Sequence, residues 1–111
     1  MEITATDRGA VHLLEVKGSI LGGPDAAHLN DLVHQKIKEG KNQFVVDLQH
    51  VDLINSSGLG ILISNLTNVK NNGGDLRLAN ASSKIKQILQ ITKLSTVFKQ
   101  YDSVEDAVRS F

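Results

Sequence analysis

Apolar and polar residues change their spacing repeatedly along the chain, and each change marks an element. Ile3-Thr4-Ala5-Thr6 reads as a short strand. The turn residues Asp7-Arg8-Gly9-Ala10 follow, and then Val11, Leu13 and Glu15 alternate with His12, Leu14 and Val16. That alternation is imperfect, which predicts a strand buried on more than one side. Gly22-Gly23-Pro24 breaks the pattern and starts a helix, because proline is preorganised for the first helical position. Ala26, Leu29, Leu32, Val33 and Ile37 form one apolar stripe on it, and Gly40 is a natural stop. Phe44-Val45-Val46-Asp47-Leu48 predicts a buried central strand, with a loop after Leu48. Leu59, Leu62, Ile63, Leu66 and Val69 give a second helical stripe, ended by Asn71-Asn72-Gly73-Gly74. Asp75 to Ala79 alternates as a strand. A third helix starts at Ser82 or Ser83 and carries Ile85, Ile88 and Leu89 on one face. Val97 to Tyr101 is predicted as a final short strand. The last helix starts near Asp102 or Ser103, with Asp102 and Glu105 at capping-box spacing, and its stripe is Val104, Ala107, Val108 and Phe111.

The order is therefore β-β-α-β-α-β-α-β-α. It predicts an α/β fold: a mixed, mostly parallel sheet with an N-terminal hairpin and about four helices. The chain of 111 residues is expected to be a single domain, spanning 1–111. In such sheets function sits in loops at the carboxyl ends of strands, which directs attention beyond Leu48.

Composition narrows the function classes. At 41% hydrophobic and 22% charged residues the chain is globular rather than disordered. Twelve basic and twelve acidic residues cancel, which argues against a dedicated nucleic-acid binder or a polybasic membrane-surface module. Without cysteine there is no disulfide, no thiolate zinc site and no thiol nucleophile. Met1-Glu2-Ile3-Thr4 lacks the basic start and apolar stretch of a signal peptide, and no apolar run approaches the about 20 residues of a membrane span. A cytoplasmic protein, monomeric or weakly dimeric, is expected. His12, His28, His34 and His50 show no metal-ligand spacing, so no metal or other cofactor is expected.

The informative segment is Asp47-Leu48-Gln49-His50-Val51-Asp52-Leu53-Ile54-Asn55-Ser56-Ser57-Gly58-Leu59-Gly60. A helix begins at Asn55-Ser56-Ser57, all good N-cap residue types. Helix N-termini also favour anions, so a serine there is suited to carry a phosphate. Gly58 and Gly60 each cost about 1 kcal/mol of helix propensity against alanine. They leave the first turn bare, open to the backbone of another protein.

Asp-Leu-x-x-Val-x-x-Ile-Asn-Ser-Ser-Gly-Leu-Gly, as it stands here, resembles the signature of the STAS domain, the family of anti-sigma factor antagonists. Length and element order resemble the family over the whole chain, and Gly18-Ser19-Ile20-Leu21 resembles its glycine-containing turn. The resemblance implies a small sheet flanked by helices on one side. It implies partner switching: the unphosphorylated antagonist binds an anti-sigma factor that is also a serine kinase, and a sigma factor is released. Phosphorylation by that kinase dissolves the complex, and a metal-dependent serine phosphatase restores the active form. The phosphoacceptor maps onto Ser57, and Ser56 maps onto the preceding family serine, a cap and contact residue. Asn55 stands where the family often has aspartate, which removes one negative charge beside the phosphosite. The expected partner surface comprises Gly22, Gly23 and Asp25 before the first helix, Asn55, Ser56, Ser57, Gly58 and Leu59 at the second, and Asn80 and Ser82 before the third.

Enzyme motifs fail on inspection, and no catalysis is expected. The position two before Ser57 is Asn55, not the glycine of a nucleophile elbow. Gly58-Leu59-Gly60 lacks the third glycine of a dinucleotide fingerprint, and no Walker lysine follows. Asp47 reads as a strand-ending residue that bonds loop backbone. Two other readings remain open: a STAS subunit of a transporter or signalling scaffold, and a small-ligand or nucleotide-binding module.

Overall fold

Glycine 9, at φ 63°, reverses the chain between β1 (Glu2–Arg8) and β2 (Val11–Ile20). A two-residue hairpin loop demands a positive φ at its first central position, and glycine meets it without strain. The computed structural model describes residues 1–111. Its five strands form one sheet in the order β1-β2-β3-β4-β5, with β3 (Gln43–Ile54), β4 (Asp75–Ala79) and β5 (Gln100–Tyr101) added in turn. The β1–β2 pair is antiparallel and the remaining three pairs are parallel. This is the predicted α/β order.

The helices do not all lie on one side. The helices α1 (Pro24–Lys38), α2 (Ser56–Asn71) and α3 (Ser83–Ile91) share a core of 20 buried residues with Leu14, Phe44, Val46, Leu48, Leu76 and Leu78 of the sheet. The last helix, α4 (Val104–Arg109), packs Ala107 on the opposite face against Val11, Leu13, Val45 and Ala79. The imperfect alternation in β2 has this cause: Leu14 and Val16 face one core, Val11 and Leu13 the other. No helix is long and apolar enough to cross a membrane.

Three local expectations need correction. The segment after Leu48 is strand, not loop, and β3 runs on to Ile54 beside β2. Between the pairs Glu15↔Asp47 and Lys17↔His50, and again between Gly18↔Val51 and Ile20↔Ile54, β3 advances three residues for every two of β2. Each bulge resets the face, so Leu48, Val51 and Ile54 all reach the core at a spacing unlike the period of two of a regular strand. The final strand is shorter than expected. Leu94–Thr96 forms a 3-10 turn, Phe98 is buried in the main core, and only Gln100 and Tyr101 pair with β4. The cap of α4 is Ser103, whose hydroxyl accepts from the Asp106 amide at 3.1 Å. Asp102, the expected cap, lies exposed and pairs instead with Lys86 at 3.1 Å.

At the amino end of β2, His12 is buried edge-on to Phe44 with ring centroids 5.8 Å apart. Its Nδ1 hydrogen-bonds the Asp7 carboxylate, which also accepts from Lys41 Nζ at 3.1 Å.

Candidate functional site

The extension of β2 and β3 past the rest of the sheet carries the start of α2. Asn55 is in extended conformation, and its Oδ1 accepts from the Gly58 amide at 2.8 Å. Its carbonyl accepts from the Leu59 amide at 2.9 Å, and its own amide donates to the Ile20 carbonyl at 3.4 Å. Asn55 is thus the N-cap, and Ser56 and Ser57 are the first two residues of the helix. The expectation that Ser56 caps is corrected. The asparagine side chain reaches the third-residue amide first, and that leaves both hydroxyls outside the capping role. Ser56 and Ser57 are exposed, in the turn where backbone amides have no intrahelical acceptor.

Gly58 is not bare for a partner's sake. A Cβ at Gly58 would stand 1.9 Å from the Ile20 carbonyl oxygen and 2.8 Å from its carbon. The backbone that approaches this glycine is the chain's own β2. Gly60, at the start of the second turn, meets nothing within 4 Å and remains open. Leu59 lies in the core at 7% exposure, so its side chain is packing rather than surface.

Gly22 comes against the site from the β2–α1 connection. A Cβ there would lie 2.9 Å from Ser57 Cβ and 3.4 Å from its hydroxyl oxygen. Gly23 precedes α1 at φ 78° and ψ −136°, a backbone region reserved for glycine, and Pro24 starts the helix. Asp25, half-buried in the first turn of α1, lies 3.8 Å from the Met1 amino group.

The segment before α3 is placed differently. Asp47↔Ala79 is the last β3–β4 pair, whereas β2 and β3 continue together to Ile20↔Ile54. Asn80 therefore leaves the sheet beside Asp47, well back from Ser57 along β3. Its Nδ2 donates to Asp47 Oδ1 at 3.0 Å, and Asp47 Oδ1 also accepts from the Gln49 amide at 3.1 Å. Asp47 sits within β3 rather than at its end, and its carboxylate braces backbone and the Asn80 turn. Ser82 caps α3 through the Ile85 amide at 3.2 Å. The structure thus gathers Gly22, Asn55, Ser56, Ser57 and Gly58, and gives Asn80 and Ser82 structural partners elsewhere. The residue that sequence reasoning missed is Ile20, whose carbonyl holds Asn55 and fits against Gly58. The signal for it was Gly58 itself, a glycine in a helix with no conformational need for one.

A polar groove of about 310 Å³ runs between α1 and α2, lined by Asn30, Asp31, His34, Ser64, Asn65 and Asn68. Ser57 is not among its lining residues and stands on open surface instead.

A family model for the STAS domain matches residues 2–107. The chain belongs to the STAS domain family. A relative from Thermotoga maritima, named as a candidate anti-sigma factor antagonist, is 28% identical over 72 residues, which are 65% of this chain and 64% of the relative. The match therefore spans somewhat less than two-thirds of that relative's length. A crystal structure of a candidate anti-sigma factor antagonist from Thermotoga maritima superposes at a TM-score of 0.88 with 22% identity, over 97% of this chain and 92% of the other. The Bacillus cell-fate determinant SpoIIAA in its phosphorylated form superposes at 0.77 with 14% identity, over 98% of each chain. The unphosphorylated form of the anti-sigma factor antagonist SpoIIAA superposes at 0.76 with 13% identity, over 98% of this chain and 96% of the other.

Proposed function

We propose that this STAS domain is an anti-sigma factor antagonist working by partner switching. Its unphosphorylated form binds an anti-sigma factor that is also a serine kinase and so frees a sigma factor. The kinase transfers the γ-phosphoryl group of ATP to Ser57 Oγ; the hydroxyl loses its proton, ADP leaves, and the complex separates. A serine phosphatase hydrolyses the phosphoester and resets the protein. The domain is the substrate of this chemistry and contributes no catalysis of its own.

The observation that carries the reading is the placement of Ser57, exposed at the second position of α2 and freed from capping by Asn55. A phosphate there adds about −1.5 to −2 charges at pH 7. The helix dipole and the open first-turn amides favour that charge, so the domain keeps its fold. The cost falls on the complex, where the phosphate brings bulk, repulsion and desolvation. An interface cost of ~3 kcal/mol weakens binding roughly a hundredfold. The unphosphorylated and phosphorylated forms of SpoIIAA both share this fold.

The test is a pull-down from native lysate with the wild-type domain, followed by incubation of the bound fraction with ATP. Phosphate is expected on Ser57, none on Ser57→Ala, and Ser57→Asp is expected to lose the bound kinase. Full retention of the kinase by Ser57→Asp, or phosphate confined to other residues, overturns the reading and leaves a transporter or scaffold subunit.

A further inference from the structure

Gly22 has no side chain, and the space a side chain would take belongs to Ser57. A Cβ at Gly22 would crowd Ser57 Cβ at 2.9 Å and its hydroxyl oxygen at 3.4 Å. Positive φ is found at Gly9, Gly18, Gly23, Gly40 and Gly73 but not at Gly22, so the requirement at Gly22 is room rather than backbone conformation.

Two elements flank Ser57 Oγ, and they differ in how firmly they are held. Helix α2 is held from below. The Ile20 carbonyl fits against Gly58, the Asn55 amide bonds the same carbonyl, and Leu59, Ile61, Leu62, Leu66 and Val69 are buried along the helix. The β2–α1 connection is held less firmly. Leu21 and Gly23 are exposed, Gly22 is half-buried, and two adjacent glycines give this stretch the widest backbone freedom in the neighbourhood. Gly23 is also the residue from which α1 starts, with no side-chain cap to anchor it.

We propose that Gly22 is a positioning residue for Ser57, and that the Leu21–Gly23 segment moves when Ser57 carries a phosphate. This rests on Ser57 as the phosphoacceptor. The modification is thereby sensed at a second stretch of surface, beside the helix start, as well as at the serine itself. A partner that contacts both stretches meets a changed shape together with a changed charge.

Phosphoserine inserted at position 57 during translation tests this without any kinase, with phosphoserine at position 56 as the control. In proton–nitrogen correlation spectra, the Gly22 and Gly23 amide signals are expected to move several-fold further for the modification at 57 than for that at 56. The Ala26 amide, which donates to the Gly23 carbonyl at 3.0 Å, is expected to exchange faster only for 57. In parallel, Gly22→Ala is expected to lower Tm by roughly 4 °C, through overpacking that the loop relieves only in part. Most of that loss should vanish in a Ser57→Gly background, which removes the crowded Cβ. Equal spectral effects from the two phosphoserines, or a Gly22→Ala effect unchanged by Ser57→Gly, overturns the proposal. Should Gly22→Ala fail to fold, the phosphoserine comparison still decides, because it keeps Gly22. The two readings fail separately. A domain that passes these tests but is never phosphorylated in lysate keeps the coupling and loses the switch, and a domain phosphorylated at Ser57 with a silent loop loses only the coupling.

Discussion

Two glycines two residues apart in α2 are expected to respond to alanine in opposite directions. In a solvent-facing helix position, alanine gains about 1 kcal/mol over glycine from backbone entropy and propensity. At Gly60 nothing lies within 4 Å of the new methyl group, so that gain is realised nearly whole. At Gly58 the methyl carbon would stand 1.9 Å from the Ile20 oxygen and 3.1 Å from Ile20 Cγ2. The nearest obstructing group is the Ile20 backbone carbonyl, whose oxygen accepts from the Asn55 amide and which belongs to the β2–β3 ladder, so it cannot swing aside as a side-chain tip can. Overpacking of this kind costs about 1–3 kcal/mol and more where backbone must shift. Set against the propensity gain, Gly58→Ala should lose about 2 kcal/mol net, and Gly60→Ala should gain about 0.5–1 kcal/mol. Urea unfolding followed by circular dichroism measures both, and at roughly 4–8 °C per kcal/mol thermal melts should separate the two variants by more than 10 °C. The same sign of shift for both substitutions refutes the reasoning, since propensity alone treats the two positions alike.

Further outcomes follow from the caps and from the far end of the sheet. Asn55→Ala should cost about 1 kcal/mol by uncapping Gly58, while Asn55→Asp keeps the acceptor, adds charge at the helix start and should be neutral or stabilising by up to about 1 kcal/mol in low-salt melts. Ser103→Ala should cost about 1 kcal/mol, and Asp102→Ala less than about 0.5 kcal/mol, because the Asp102–Lys86 pair is exposed. The hydrogen bond from Lys41, and after it that with His12, holds the Asp7 carboxyl below its ordinary value of 3.8. A carboxyl depressed in the folded state stabilises above the unfolded value and loses that contribution as pH falls through the folded one. The urea midpoint of Asp7→Asn should therefore lie below wild type above about pH 4, and the gap should close as the pH falls further.

The order of elements was legible in the chain because period and punctuation are local properties. Val11–Val16, the Gly22-Gly23-Pro24 break and the Leu59–Val69 stripe report their own conformations through neighbours a few residues away. The signature around Ser57 was equally plain, since cap-forming residue types and glycines sit together in one short run. What the tertiary structure decided was everything that depends on a partner strand. The second half of β3 looked like loop because two bulges against β2 turn its apolar spacing from two residues to three. Asn55 rather than Ser56 is the cap because β3 runs on to Ile54 and sets the Asn55 side chain at the Gly58 amide. The choice of Ser103 over Asp102 turned on which side chain lay close enough to the first-turn amides. The placement of α4 across the sheet from the other helices followed from Val11, Leu13, Val45 and Ala79 presenting a second apolar face. So too with the glycines: their identity is written in the sequence, but whether each serves a turn, a close approach or open surface is set by what stands where the Cβ would be. At Gly58 that is β2, at Gly60 it is solvent, and at Gly22 it is Ser57.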